Sequence, residues 1–300
     1  MTSFRTRLVK FSLSKVNLIG GDRVDVRRLR VRASVAARIF RTHRKVKVSC
    51  IKAGGIPSEW LCPNHAPTDR VLMYIHGGGF ITGSTKTHRS FVSKIAFLSQ
   101  TCALSVNYRL APEYPFPAGL EDCITAYRWL LQTGIASGKI IVAGDSSGGN
   151  LAMALLIAMR DAGEPLPAGA IGISPTTDLA LSGESYKTRA DVDLFFGRAG
   201  RKVSAIYKNY FGDNDPAHPL ISPVYADMKG LPSILLQVGD HEVMLDDSVQ
   251  FAARARTAGV DICFSVWPEM MHDFQLYETF IPEAREAITQ IVSFIKEHQK

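Results

Sequence analysis

From residue 71 onward the chain alternates short apolar runs with helix-patterned segments, and that alternation leaves few folds open. Val71–His76, Ala103–Tyr108, Lys139–Gly144, Ala168–Ser174, Ser233–Asp240 and Ile262–Trp267 read as buried strands. Lys86–Gln100, Leu120–Gln132, Ser147–Asp161, Asp246–Ala258 and Pro282–Glu297 read as helices. Runs with so little polar alternation are covered on both faces. The pattern therefore predicts the α/β class, a mostly parallel central sheet with helices on either side. A chain of 300 residues, 46% apolar and 21% charged, is large enough for one such core and too apolar for a disordered state.

Two stretches break the rhythm. Residues 1–45 are basic and in part helix-patterned, and residues from about 180 to 222 are too long for a simple crossover. Together they are expected to form a helical cap over the carboxyl ends of the strands, leaving 46–179 and 223–300 as the α/β core.

Charge is unevenly placed. Residues 1–52 hold 15 Lys and Arg against only Asp22 and Asp25. Such asymmetry marks either an arm for a polyanion or lipid surface, or a solvated helix. No aromatic residue interleaves the basic run from Arg23 to Arg38, so no nucleic-acid partner is expected. The longest apolar run, Leu151–Met159, is too short to span a bilayer, and the first twenty residues contain no continuous apolar leader segment. The five cysteines, Cys50, Cys62, Cys102, Cys123 and Cys263, are odd in number and form no C-x-x-C pair. Neither a disulfide framework nor a metal site is expected, and the reading is a cytoplasmic protein with thiols such as Cys102 and Cys263 buried.

Four segments carry chemistry. Gly144-Asp145-Ser146-Ser147-Gly148-Gly149 lies between an apolar strand and an Ala/Leu-rich helix. That is the setting in which G-x-S-x-G lifts a serine out of a sharp turn as a nucleophile. His76-Gly77-Gly78-Gly79-Phe80 follows a strand directly. Three glycines there lose much conformational entropy unless the backbone must approach something closely. The amides of Gly77, Gly78 and Gly79, with that of Ser147, are the candidate donors to an oxyanion, and His76 is expected to anchor the loop. In the order nucleophile, acid, histidine, the general base falls on His272 in the loop after the last strand. The acid belongs after Ser233–Asp240, where Asp240 and Glu242 remain alternatives and Asp246 and Asp247 read as helix-capping residues.

HGGGF, NYRLAPEYPFPA with GLEDC, GDSSGGN, GDHEVMLDD and MHDF, in this order over residues 70–300, resemble the hormone-sensitive-lipase-like esterases (bacterial family IV) of the GDSAG type. The resemblance implies an α/β-hydrolase fold with a helical cap and hydrolysis of acyl esters, short-chain ones included, without cofactor or metal. It places Ser146 as nucleophile and His272 as base, and aligns Glu242 with the family's acid, with Asp240 as runner-up. It also implies a homodimer through the edge strand at Ile262–Trp267. Ser147 departs from the family's alanine and Asn107 from its aspartate. An amidase, lactonase or carbamate hydrolase would use the same triad, so these stay as rivals. The gibberellin receptors resemble the family without its histidine, which makes a non-catalytic receptor the remaining alternative.

Overall fold

A computed structural model describes residues 2–14, 25–197 and 200–299, with only the backbone for 200–202. Eight strands form one sheet in the order β1-β2-β4-β3-β5-β6-β7-β8. They are β1 (Val46–Ala53), β2 (Ile56–Pro63), β3 (Val71–Ile75), β4 (Cys102–Val106), β5 (Ile140–Asp145), β6 (Gly169–Ile173), β7 (Ser233–Gly239) and β8 (Ile262–Trp267). β1 and β2 pair antiparallel, as do β2 and β4, and every pairing from β4 to β8 is parallel. The six expected strands are therefore present. The β1–β2 hairpin was not anticipated, because its mixed polar residues carry no buried-strand signature, although Gly54-Gly55 marks its turn.

Helices cover both faces. α3 (Thr85–Ser99) and α9 (Pro282–His298) lie on one, and α4 (Ala118–Gln132), α5 (Ser146–Asp161) and α8 (Leu245–Thr257) on the other. The two-residue period of β3 makes this possible. Leu72 and Tyr74 pack with Phe91, Ile95, Ile291 and Ile295, while Val71, Met73 and Ile75 pack with Tyr127, Leu130 and Leu155. β3 lies between β4 and β5, so the chain leaves it in one direction and returns on its other side. The carboxyl ends of β3 and β5 thus flank a switch point, where open parallel sheets hold their sites.

The two irregular stretches supply α1 (Phe4–Ser14), α2 (Val26–Ala36), α6 (Ser185–Thr188) and α7 (Gly200–Phe211). Residues 15–24 of the first stretch lie outside the described residues. Tyr210 of α7 stacks on Phe80 at 3.8 Å, and its carbonyl accepts the Phe116 N–H at 2.7 Å, which ties the insertion to the loops above the sheet.

Three expectations need correction. Cys62 and Cys102, on the paired ends of β2 and β4 with Cα atoms 4.3 Å apart, are disulfide-bonded rather than separate thiols. Sequence spacing hides this pair because register alone brings the two cysteines together. Cys263, on β8, is exposed rather than buried. Asp246 and Asp247 stand in the first turn of α8 as expected, but their side chains do not cap it. Asp246 accepts the Ser185 N–H at 2.8 Å, and Asp247 accepts the Asp178 N–H at 3.1 Å and the Tyr186 hydroxyl at 3.2 Å, so both hold the insertion to the core.

Asp247 is fully buried, its second oxygen has no partner, and the Asp178 carboxylate is close. Burial and that neighbouring charge hold its carboxyl well above the usual carboxylate range. A raised folded-state value means that folding takes up a proton, so this group's contribution to stability falls as pH rises past the unfolded value. Asp247→Asn keeps both accepted hydrogen bonds without the charge. It is expected to raise the melting temperature at pH 8 by about 2–4 °C and to change it little at pH 4, read by thermal denaturation. A lower melting temperature at pH 8 would show that the carboxylate is stabilised as an anion instead.

Candidate active site

Ser146 sits where β5 becomes α5, with φ +50°. A non-glycine residue in this region costs about 1–3 kcal/mol and persists only when its surroundings impose it. Here the turn is closed by packing. A Cβ on Gly148 would run into the backbone carbonyls of Ile75 and His76, so only glycine lets α5 approach β3 this closely. The serine is held at the start of α5, whose N-terminal amides and dipole favour negative charge.

Beneath it, Asp145 is buried and doubly bonded. Its carboxylate accepts the Tyr74 hydroxyl at 2.6 Å and faces His88 Nε2 at 3.1 Å. Burial opposes charge on His88, yet the Asp145 carboxylate more than offsets it and raises the imidazole above its ordinary value. His76 is buried, stacked on Tyr108 at 4.4 Å, with Nδ1 2.9 Å from the Gly77 carbonyl. Burial and the nearby His88 push it down to about 3, so it stays neutral and anchors the loop as expected.

The glycine loop after β3 turns with Gly78 at φ +122° and Gly79 at φ +62°, both in the left-handed region. Gly78 and Gly79 line the same cleft as Ser146 and His272, whereas Gly77 is not among the lining residues and stands against Asp145. Ser147 contributes more than the amide foreseen for it. Its buried hydroxyl accepts the Phe80 N–H at 3.1 Å and pins the loop to α5. An alanine could not do this, and the serine-for-alanine departure was the sequence signal. Asn107 likewise has a structural task, its amide oxygen accepting the Thr85 N–H at 3.3 Å at the start of α3.

His272 is buried in the loop after β8. Its Nδ1 lies 2.8 Å from Glu242 Oε2, and Glu242 Oε1 accepts the Ser174 hydroxyl at 2.7 Å and the Gly239 N–H at 2.5 Å. Asp240 is half-exposed, accepts the Glu269 N–H, and lies 3.9 Å from His241, so it is not the carboxylate at the imidazole. Ser174 was missed by sequence reasoning. It is buried at φ +43° and also accepts the Asp273 N–H at 3.3 Å, joining the segments that carry Glu242 and His272. No motif flagged a serine at the end of β6.

Asp273 is the larger surprise. Chain neighbours seldom orient each other's side chains, yet with φ +51° its Oδ2 reaches 3.1 Å from His272 Nε2. Burial works against charge on the imidazole, but Asp273 and Glu242 on its two nitrogens overcome it and hold His272 well above its ordinary value. Burial in turn pushes the Asp273 carboxyl up to about 7. Among the described residues no hydrogen bond joins Ser146 to His272 in this arrangement, although both line one cleft.

That cleft has a volume of about 230 Å³ and is walled mainly by apolar side chains. Ile81, Phe195, Phe196 and Ile206 line it, with Leu29 from α2 closing one side. No group of three or more His, Cys, Asp or Glu able to hold a metal exists among the described residues. None of their helices is long and apolar enough to cross a membrane.

Residues 72–276 match the family model described as alpha/beta hydrolase fold. The chain is similar to an acetyl-hydrolase of Streptomyces hygroscopicus, 41% identical over 82% of this chain and 81% of that one. It is also similar to an esterase of Acinetobacter venetianus, 35% identical over 86% and 84%. Among solved structures, an esterase from the bacterial hormone-sensitive lipase family superposes with a TM-score of 0.95 at 37% identity, each chain covered completely. Sheet order, a serine at a left-handed strand–helix turn and these likenesses agree, and the chain belongs to the α/β-hydrolase fold family, among its hormone-sensitive-lipase-like esterases.

Proposed function

We propose that this protein is a serine carboxylesterase that cleaves short-chain acyl esters through an acyl-enzyme on Ser146. The observation that carries the reading is the convergence of Ser146, His272 and the left-handed Gly78 and Gly79 on one apolar cleft. In the first step His272 Nε2 takes the Ser146 hydroxyl proton while Oγ attacks the ester carbonyl. Glu242 holds Nδ1–H and stabilises the imidazolium. The amides of Gly78, Gly79 and Ser147 receive the oxyanion, each such donor being worth about 10²–10³ in rate. His272 then gives its proton to the departing alcohol, and water repeats the sequence on the acyl-serine to release the acid.

A volume of about 230 Å³ falls below the ~300–1,000 Å³ of sites for drug-sized ligands, which favours small acyl groups. The test is turnover of p-nitrophenyl esters from acetate to palmitate, together with fluorophosphonate labelling. The expected result is a maximum at the short end and stoichiometric labelling of Ser146. A maximum at palmitate would refute the short-chain assignment. Labelling without ester turnover would favour an amidase or lactonase, and neither would favour a receptor.

The same proposal treats residues 1–45 and 180–222 as the cap, on the ground that Leu29, Phe195, Phe196 and Ile206 of those stretches line the cleft. It includes a homodimer through β8, whose outer edge has no strand partner among the described residues and leaves Val266 exposed. Light scattering at micromolar concentration should return twice the chain mass, and a monomer would discard the dimer. The location proposed is the cytoplasm, because Cys50 and Cys263 are free and exposed, a state that reducing compartments maintain. Thiol titration of protein alkylated inside cells tests it. Free Cys50 and Cys263 thiols would support the cytoplasm, and their capture in mixed disulfides would mean an oxidising compartment.

A further inference from the structure

The inner faces of the two N-terminal helices are fully accounted for. On α1, Val9 and Leu13 pack against the cluster around Trp267 and Phe274, and Thr6 donates to Glu283 at 2.6 Å. On α2, Val26 and Leu29 pack on the core, and Arg30 donates to the carbonyls of Ile81 and Ala111 and to Glu113. What remains is surplus apolar surface facing away from the protein. Phe4 is 70% exposed and Leu8, one turn on, 50%. Val31 and Val35, likewise one turn apart, are 58% and 54% exposed.

The residues beside these stripes have one sign. Arg5 and Arg7 flank the first, and Arg27 and Arg28 lie beside the second. Neither helix contains an acidic residue. Among the described residues Arg28 pairs with Asp25 at 3.1 Å, while Arg5, Arg7 and Arg27 form no ion pair. A solvated helix would carry both signs and few exposed aliphatics. Outward apolar residues flanked by arginines on helices without acidic residues are the pattern of a helix lying in a bilayer interface.

We propose that the outer faces of α1 and α2 seat this protein on an anionic lipid bilayer. Charge decides between occupants. A second copy would bring two strongly positive segments together, each with 15 basic and two acidic residues in positions 1–52, whereas an anionic leaflet is complementary. The apolar stripes decide against a nucleic acid, which has no use for exposed valine and leucine away from its bases. Leu29, on the face of α2 opposite Val31, lines the cleft, so the bilayer would lie about 10 Å, one helix diameter, from it. Esters partitioned into the membrane would then be supplied at the cap. This last consequence rests on the esterase reading; the docking does not.

Flotation of the whole protein with vesicles tests the proposal without any turnover. Vesicles of phosphatidylcholine with about one third phosphatidylserine should carry the protein, and phosphatidylcholine alone should not. Binding should weaken at high salt. A variant with Phe4→Ser, Leu8→Ser, Val31→Ser and Val35→Ser should bind at least tenfold more weakly while hydrolysing a soluble short ester as before. Arg5→Glu with Arg7→Glu should act in the same direction. No flotation, equal binding to neutral vesicles, or unchanged binding of the serine variant would overturn the proposal. So would wild-type self-association that the serine variant abolishes, or retention of RNA without vesicles.

Discussion

Glu242→Gln is expected to lower kcat/KM on a short acyl ester by about 10⁴-fold, while Asp240→Asn leaves it unchanged. The buried Glu242 carboxylate accepts from Nδ1 of His272 at 2.8 Å, which places a proton on Nδ1 and leaves the Nε2 lone pair for the serine hydroxyl. A glutamine of the same shape can turn its NH2 toward Nδ1 and fix the wrong tautomer. It also loses the negative charge that stabilises the imidazolium. Glutamine is preferred to alanine as the test because Glu242 Oε1 takes the Ser174 hydroxyl and the Gly239 N–H, and alanine would strand both donors in the interior. Asp240 touches none of these groups; it accepts the Glu269 N–H at the rim. Melting curves and fluorophosphonate labelling of the folded fraction separate a catalytic loss from an unfolding one. A loss below tenfold for Glu242→Gln, or a large loss for Asp240→Asn, would reverse the assignment of the acid.

The choice between Asp240 and Glu242 shows where the residue pattern runs out. Elements with a strong period were legible. The runs of β3, β5 and β7 and the helices α3, α4, α5, α8 and α9 fall within a few residues of the expected bounds, because buried strands and amphipathic helices write their packing into the chain. Ser146 and His272 could be singled out for a different reason, since a tight turn and a fixed chain order constrain residue type locally. Asp240 and Glu242 are two residues apart on one turn, and which of them points inward depends on the backbone after β7, where Gly239 passes close to Met270. The Cys62–Cys102 bond depends on β2 and β4 being neighbours in register, a relation between segments 40 positions apart. Ser174 joins the loops of Glu242 and Asp273 at the end of β6 with a residue type that no motif marks.

Removing the Asp273 side chain, by Asp273→Gly, should move the acid limb of the kcat/KM profile down by about one pH unit or more, giving about tenfold higher activity on its acid side. The base must be neutral to accept the serine proton. His272 has a carboxylate at each nitrogen, Glu242 at Nδ1 and Asp273 at 3.1 Å from Nε2, and together they favour the imidazolium. A raised imidazole value keeps the base protonated to higher pH, so the wild-type rate begins to climb above the ordinary histidine range. The surrounding groups act on Asp273 as well. Burial raises it to about 7, with the Asp145 and Glu242 carboxylates adding to the rise and His272 opposing it, and Tyr74, His88 and Tyr277 also lie within its field. Two groups this close titrate as a pair, so the limb reports the pair rather than either residue. Glycine tolerates the φ of +51° at this position and offers nothing to Nε2. Asparagine removes the same charge but can donate to the Nε2 lone pair. Both variants should therefore shift the limb, and only asparagine should also depress the plateau. Because kcat/KM reports the titrating groups of the free enzyme, an unmoved limb in both would mean that Asp273 does not bias His272 even before substrate binds.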